Sequence, residues 1–159
     1  MPGPISRWIL SRVLASGLAF EEESIGAYRG MRAKMLQSGS RGEQLESSLR
    51  HLLEEDEAHG RVLSDAATGK LSAQDLDLLY EAHPYTGFKT IQPLTGNELA
   101  QWSADLSAAL EQEEKTWIFY GNLRRMSKIP AVKKAFEVLA SMEKEHVDIL
   151  RRLLGRGSP

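Results

Sequence analysis

Two stretches decide how this chain is read: Leu52-Leu-Glu-Glu-Asp-Glu-Ala-His59 and Leu139-Ala-Ser-Met-Glu-Lys-Glu-His146. Each ends with an acid and a histidine three positions apart, Asp56 with His59 and Glu143 with His146. On a helix that spacing puts carboxylate and imidazole one turn apart on a single face. Outward from the first stretch, Leu45, Leu49, Leu52, Leu53, Asp56, His59 and Leu63 recur at helical spacing, predicting a helix over about Glu43 to Ala67, with Gly69 as its closing glycine. Outward from the second, Phe136, Leu139, Ala140, Glu143, His146, Ile149 and Leu150 predict a helix that starts at Pro130 and ends at Gly155.

Two further helices accompany them. Leu10, Leu14, Leu18, Glu21, Ile25, Tyr28 and Met35 share one face from Ile5 to about Gln37, and Ser38-Gly39-Ser40 stops that helix. Thr95-Gly-Asn-Glu98 has the form of a capping box, after which Trp102, Leu106, Ala109, Leu110, Glu113, Trp117, Tyr120 and Leu123 form a stripe to about Met126. Sliding the first helix by 92 positions pairs Leu14 with Leu106, Leu18 with Leu110, Glu21 with Glu113, Glu22 with Glu114, Tyr28 with Tyr120 and Arg32 with Arg124. Average usage gives about one or two such matches over this length at roughly 7% per position. Sliding the second helix by 87 pairs Asp56 with Glu143, His59 with His146 and Leu63 with Leu150. The chain is therefore two similar antiparallel hairpins. The link between them, about 68 to 95, contains a predicted short helix from Ser72 to about Ala82 and is longer than neighbours in a bundle need. A long link returns the second hairpin to the far end, the one-crossover form of an all-α four-helix bundle. A single domain over 1–159 is expected, with the bundle at about 5–154.

The repeat keeps acids on faces that should be buried. Glu21 lies between Leu14, Leu18, Ile25 and Tyr28, and Glu113 between Leu106, Leu110, Trp117 and Tyr120, with no Lys or Arg at helical spacing on either face. An unpaired buried carboxylate costs several kcal/mol unless a cation, a proton or a metal relieves it. Composition narrows the choice: with no cysteine, disulfides, thiolate metal sites and cysteine nucleophiles are excluded, so a metal must be held by carboxylate and imidazole. Oxygen donors with a little imidazole suit iron or manganese. The balance of 20 Lys+Arg against 22 Asp+Glu predicts no nucleic-acid partner. Arg12 and the acids Glu21 to Glu23 argue against a signal peptide or a spanning segment near the N-terminus, so a cytoplasmic protein with no membrane partner is expected.

One Glu from each of two helices and an acid-x-x-His pair from each of the other two is the pattern of di-iron and di-manganese carboxylate bundles. The segments F-E-E-E-S-I-G-A-Y, L-L-E-E-D-E-A-H, L-E-Q-E-E-K-T-W-I-F-Y and L-A-S-M-E-K-E-H resemble the di-iron domain of the rubrerythrins, within the ferritin-like superfamily. The resemblance implies two Fe ions, with Mn as the alternative metal. It implies terminal ligands at Glu21 and Glu113, bridging acids at Asp56 and Glu143, a histidine cap on each metal from His59 and His146, and catalysis through the four carboxylates. It also implies oxidation of Fe(II) by H2O2 or O2, a homodimer, and electrons supplied by an external donor protein, since there is no cysteine for a rubredoxin module. Two positions depart from the pattern. Asp56 is one methylene shorter than the family's Glu, and neighbouring Glu55 or Glu57 would compensate only by a turn of the helix. Thr116 stands where rubrerythrin proper has an extra Glu.

Tyr28 and Tyr120, seven residues after Glu21 and Glu113, are read as hydrogen-bond donors to the ligand carboxylates, against the plainer reading as core aromatics. The rest of the Glu21–Glu23 and Glu54–Glu57 runs is read as solvated face, His51 and His83 as surface or turn residues, and Trp8 and Trp102 as exposed residues suited to a dimer contact. Beside the oxidoreductase reading stand a non-catalytic metal-binding or helical interaction protein, and substrate hydroxylation beside an apolar pocket.

Overall fold

A computed structural model describes residues 4–39, 42–68, 90–128 and 130–157. Its helices are α1 (Pro4–Ser38), α2 (Glu43–Ala67), α3 (Gly96–Met126) and α4 (Pro130–Leu153), within a residue or two of the bounds expected from periodicity. No strand occurs among the described residues. The short helix expected from Ser72 to Ala82, the closing Gly69 and His83 lie outside the described residues.

The helices pack as two hairpins, α1 with α2 and α3 with α4, joined mainly through α1 against α3. The end of the crossover is anchored by described contacts. The Gln44 amide donates to Gln92 O (2.7 Å) and accepts from Gln92 N (2.8 Å), tying the crossover to the start of α2. Leu94 N donates to Leu153 O at 2.8 Å, tying it to the end of α4, while Ile91 and Leu94 are buried. The chain leaves α2 at Thr68 and is back beside its start by Gln92, a return of about 37 Å at 1.5 Å per residue along 25 helical residues. That return sets α3 antiparallel to α1 and makes the fold a ferritin-like bundle with one crossover.

Local chemistry ends α4 as expected. Gly155 takes φ 68°, its N–H donates to Arg152 O, and Arg156 N donates to Arg151 O, the paired Schellman arrangement that a Cβ would disfavour. The start of α3 differs from the capping box. Thr95 occupies the cap position but makes no side-chain hydrogen bond, because Gly96 follows it at φ 56° and redirects the first turn. Glu98 instead lies over the α1–α2 turn, where a Cβ on Gly42 would stand 2.5 Å from Glu98 Oε2.

Two apolar clusters fill the bundle. One holds Tyr28, Leu45, Leu49, Trp102, Leu106, Leu150 and Leu153, and the other Leu14, Leu63, Tyr120, Phe136 and Leu139. Trp102 is 1% exposed, so it is a core residue and not part of a dimer surface: the inward stripe of α3 includes it. Trp8 is 61% exposed, with the Arg12 guanidinium 5.1 Å above its ring. No described helix is long and apolar enough to cross a membrane.

Candidate metal centre

Between the two apolar clusters lies a layer of acids and imidazoles. Glu21 comes from α1, Asp56 and His59 from α2, Glu113 from α3, and Glu143 and His146 from α4; all are buried. His59 Nδ1 lies 3.0 Å from Glu143 Oε1, 3.5 Å from Glu21 Oε1 and 3.8 Å from Asp56 Oδ1. His146 Nδ1 lies 3.2 Å from Asp56 Oδ1, 3.7 Å from Glu143 Oε2 and 3.8 Å from Glu113 Oε1. The imidazole rings stack at 5.5 Å and 14°. Ligand atoms of Glu21, Asp56, His59 and Glu143 lie within 4.8 Å of one another, as do those of Asp56, Glu113, Glu143 and His146. These two four-residue groups share Asp56 and Glu143 and differ in Glu21 with His59 against Glu113 with His146; a third, smaller group joins Glu55 to both histidines.

The tyrosines cross between helices. Tyr28 donates to Glu113 Oε1 (2.5 Å) and Tyr120 donates to Glu21 Oε1 (2.6 Å). Because α1 and α3 run antiparallel, a residue two turns beyond one glutamate arrives opposite the glutamate of the other helix, so the bonds are reciprocal. Each leaves a carboxylate oxygen, Glu113 Oε2 or Glu21 Oε2, without a hydrogen-bond partner among the described residues.

The electrostatics are those of crowded anions. Burial, then the charge on Glu113, raises the Asp56 carboxyl well above its usual range, and burial with the Glu21 and Glu113 charges does the same to Glu143. Glu113 goes the other way. Burial pushes it up, but the adjacent Glu143 carboxyl and His146 imidazole, the His146 charge and the Tyr28 hydroxyl outweigh that and hold it at about 2. Burial pulls His146 down, while the Asp56 charge, the closeness of the Asp56 and Glu113 carboxylates and the bond to Glu55 leave it raised. Burial and the neighbouring carboxylates raise both tyrosines.

A cation fits this donor set. The only basic partners of Glu21, Asp56, Glu113 and Glu143 among the described ion pairs are the two histidines. Asp56 Oδ1 and Oδ2, Glu143 Oε2 and His146 Nδ1 have no hydrogen bond among the described residues. Four carboxylates balance two divalent ions, and the donors are hard oxygens with imidazole.

Two residues depart from the sequence reading. Glu55 is 1% exposed, not solvated, and faces the interior without any shift of the helix: its Oε2 lies 2.8 Å from His146 Nε2. The signal was present, since Leu45, Ser48, Leu52, Ala58 and Val62 flank it at helical spacing and all are buried. His51 is not a plain surface residue; Nε2 lies 3.5 Å from Glu55 Oε1 and 3.8 Å from Glu145 Oε1. Both corrections have one cause: α2 meets α1 on one side and α4 on the other, so its buried arc is wider than a single stripe. Glu57 does point outward, to Arg29 at 2.5 Å. Thr116 is buried and donates to its own helix at Gln112 O (3.0 Å).

Comparison with known proteins gives one family: the model described as Rubrerythrin matches residues 12–154. No curated protein and no solved structure matches the chain.

Proposed function

Because the chain belongs to the rubrerythrin family, whose domain is the ferritin-like di-iron bundle, we propose that its buried centre holds two iron ions and oxidises Fe(II) with H2O2 or O2. The observation that carries this reading is that two four-residue donor groups overlap at Asp56 and Glu143. The metal pair, when bound, supplies one electron from each Fe(II), enough with two protons to turn one H2O2 into two waters.

The remaining roles belong to the chain. Asp56 and Glu143, the acids that approach both histidines, would hold both metals, and Glu21 and Glu113 would each hold one. His59 and His146 would each hold one metal through Nδ1, the nitrogen turned toward the acids. Tyr28 and Tyr120 hold Oε1 of the two glutamates and so fix the orientation of each carboxylate. Leu and aromatic side chains above and below exclude water. With no cysteine in the 159 residues, reducing electrons come from a donor protein outside them. Trp8, exposed on α1, is a candidate contact for a homodimer.

A second reading, metal binding without turnover, is favoured by Thr116, whose hydroxyl is spent on its own helix where rubrerythrin proper carries a further Glu. Hydroxylation of an organic substrate has less support: the 310 Å³ cavity between α1 and α3, lined by Ser24, Met31, Ala109 and Gln112, includes none of the six proposed ligands.

Metal analysis followed by stopped-flow mixing separates these readings. About two Fe per chain and peroxide-dependent oxidation faster than that of free Fe(II) are expected; two bound Fe with no acceleration would leave the non-catalytic reading. His59→Ala with His146→Ala should abolish stoichiometric iron binding and keep a helical bundle. Retained binding would mean that the site lies elsewhere.

A further inference from the structure

Glu55 has no role in the centre as proposed, yet it is buried one position before Asp56 and holds His146 at Nε2 over 2.8 Å. The other nitrogen of that ring, Nδ1, faces Asp56, Glu143 and Glu113. An ionised carboxylate only accepts, so a neutral His146 carries its proton on Nε2, donates it to Glu55, and turns the Nδ1 lone pair toward the acids. His51 stands behind Glu55, its Nε2 3.5 Å from Oε1, and its ring meets His146 edge-on at 6.5 Å.

His59 has no such support. Its Nδ1 also faces the acids, but Nε2 has no hydrogen-bond partner among the described residues. The 87-residue offset that relates α2 to α4 shows why: the counterpart of Glu55 is Met142, buried but with no oxygen to accept an imidazole N–H. The pseudo-symmetry that repeats the six proposed ligands is broken at the residue behind one histidine. A carboxylate that accepts the N–H of a metal-bound imidazole fixes its orientation and raises its basicity, and losing such a partner lowers metal affinity about 10- to 100-fold.

We propose that Glu55 is a positioning residue that orients His146 and makes the two metal positions unequal, the position capped by His146 being the tighter. The inference rests on the di-metal reading given above.

Calorimetric titration of the metal-free 159-residue chain with Mn(II) tests it. The parent should bind two ions in two affinity classes. Glu55→Gln keeps an acceptor for Nε2–H but removes the charge, and should weaken the tight class about 10-fold; Glu55→Leu removes both and should weaken it about 100-fold, the weak class being unchanged in each. A residue needed only for folding would weaken both classes together or lower the helix content seen by circular dichroism. Two equal classes in the parent, or folded variants with both classes unchanged or equally weakened, would overturn this inference and leave the di-metal centre standing. A parent that takes up neither Mn(II) nor Fe(II) would overturn both.

Discussion

Replacing Glu143 by Gln should move the metal-free and the metal-loaded protein in opposite directions. Glu143 is fully buried, and burial with the charges of Glu21 and Glu113 raises its carboxyl well above 4.5, the value it has when unperturbed. A raised folded pKa opposes folding at every pH above the unfolded value, and the opposition grows with pH until the folded carboxyl itself ionises. At pH 7 the gap to the unfolded value is about 2.5 units, which limits the penalty to about 3 kcal/mol at roughly 1.4 kcal/mol per unit. Gln has nearly the same shape, keeps a carbonyl to accept from His59 Nδ1, now 3.0 Å from Oε1, and does not ionise. Metal-free Glu143→Gln should therefore gain about 1–3 kcal/mol at neutral pH, or roughly 3–9 °C in Tm for a chain of this size, and the gain should fade toward about pH 4.5. With Mn(II) present the variant lacks an acid common to both donor groups, so the rise in Tm on adding metal should largely disappear. Thermal unfolding followed by circular dichroism, with chelator and with excess Mn(II), gives both results. A metal-free variant less stable than the parent at neutral pH, or one that keeps the full metal-dependent rise, would refute the account of Glu143 as a strained, shared ligand.

Tyr120→Phe removes the donor to Glu21 and Tyr28→Phe the reciprocal donor to Glu113. Each should cost about 1.5–3 kcal/mol in urea unfolding of the metal-free protein, and losses of very different size would contradict the equivalence of the two bonds. A Cβ on Gly17 would lie 3.4 Å from Leu63 Cδ1 and 3.4 Å from the Tyr120 hydroxyl. Gly17→Val should therefore displace Tyr120, lower stability by about 1–3 kcal/mol and weaken metal binding, whereas undiminished Mn(II) affinity would show that Tyr120 does not aim Glu21. Asp56, Glu143 and His146 all have raised pKa values and must lose their protons to bind a cation. Mn(II) affinity measured by calorimetry should accordingly keep rising with pH above the usual carboxylate range, with protons released on binding; a flat profile would sink this expectation.

Most of the centre was legible because its signals are local. Helical period, Pro130 and Gly155 bound the elements, and the repeat carried acids and histidines onto stripes that had to be buried. The length of the link between hairpins selected the crossover form even though its middle lies outside the described residues. Elsewhere local signals misled. Thr95-Gly-Asn-Glu98 has the residues of a capping box, but Gly96 turns left-handed and Glu98 lies over Gly42 on another hairpin. Glu55 resembled its solvated neighbours in the run 54–57 although its apolar neighbours at helical spacing pointed inward.

By itself, then, the sequence determined four amphipathic helices in two related hairpins and most of the side chains facing their common interior, Glu55 and Trp102 excepted, because periodicity and end signals act within a few residues of chain. Only the tertiary structure decided which groups meet. Tyr28 holds Glu113 rather than the glutamate of its own helix because α1 and α3 are antiparallel. Asp56 and Glu143, not Glu21 and Glu113, stand between the two histidines because α2 and α4 bring their acid-x-x-His turns face to face. Glu55 reaches His146 while Met142 has nothing to offer His59. Burial of a polar side chain is set by what packs across from it, and in the four hydrogen bonds that link the helices at this centre the partner lies 84 to 99 residues away along the chain.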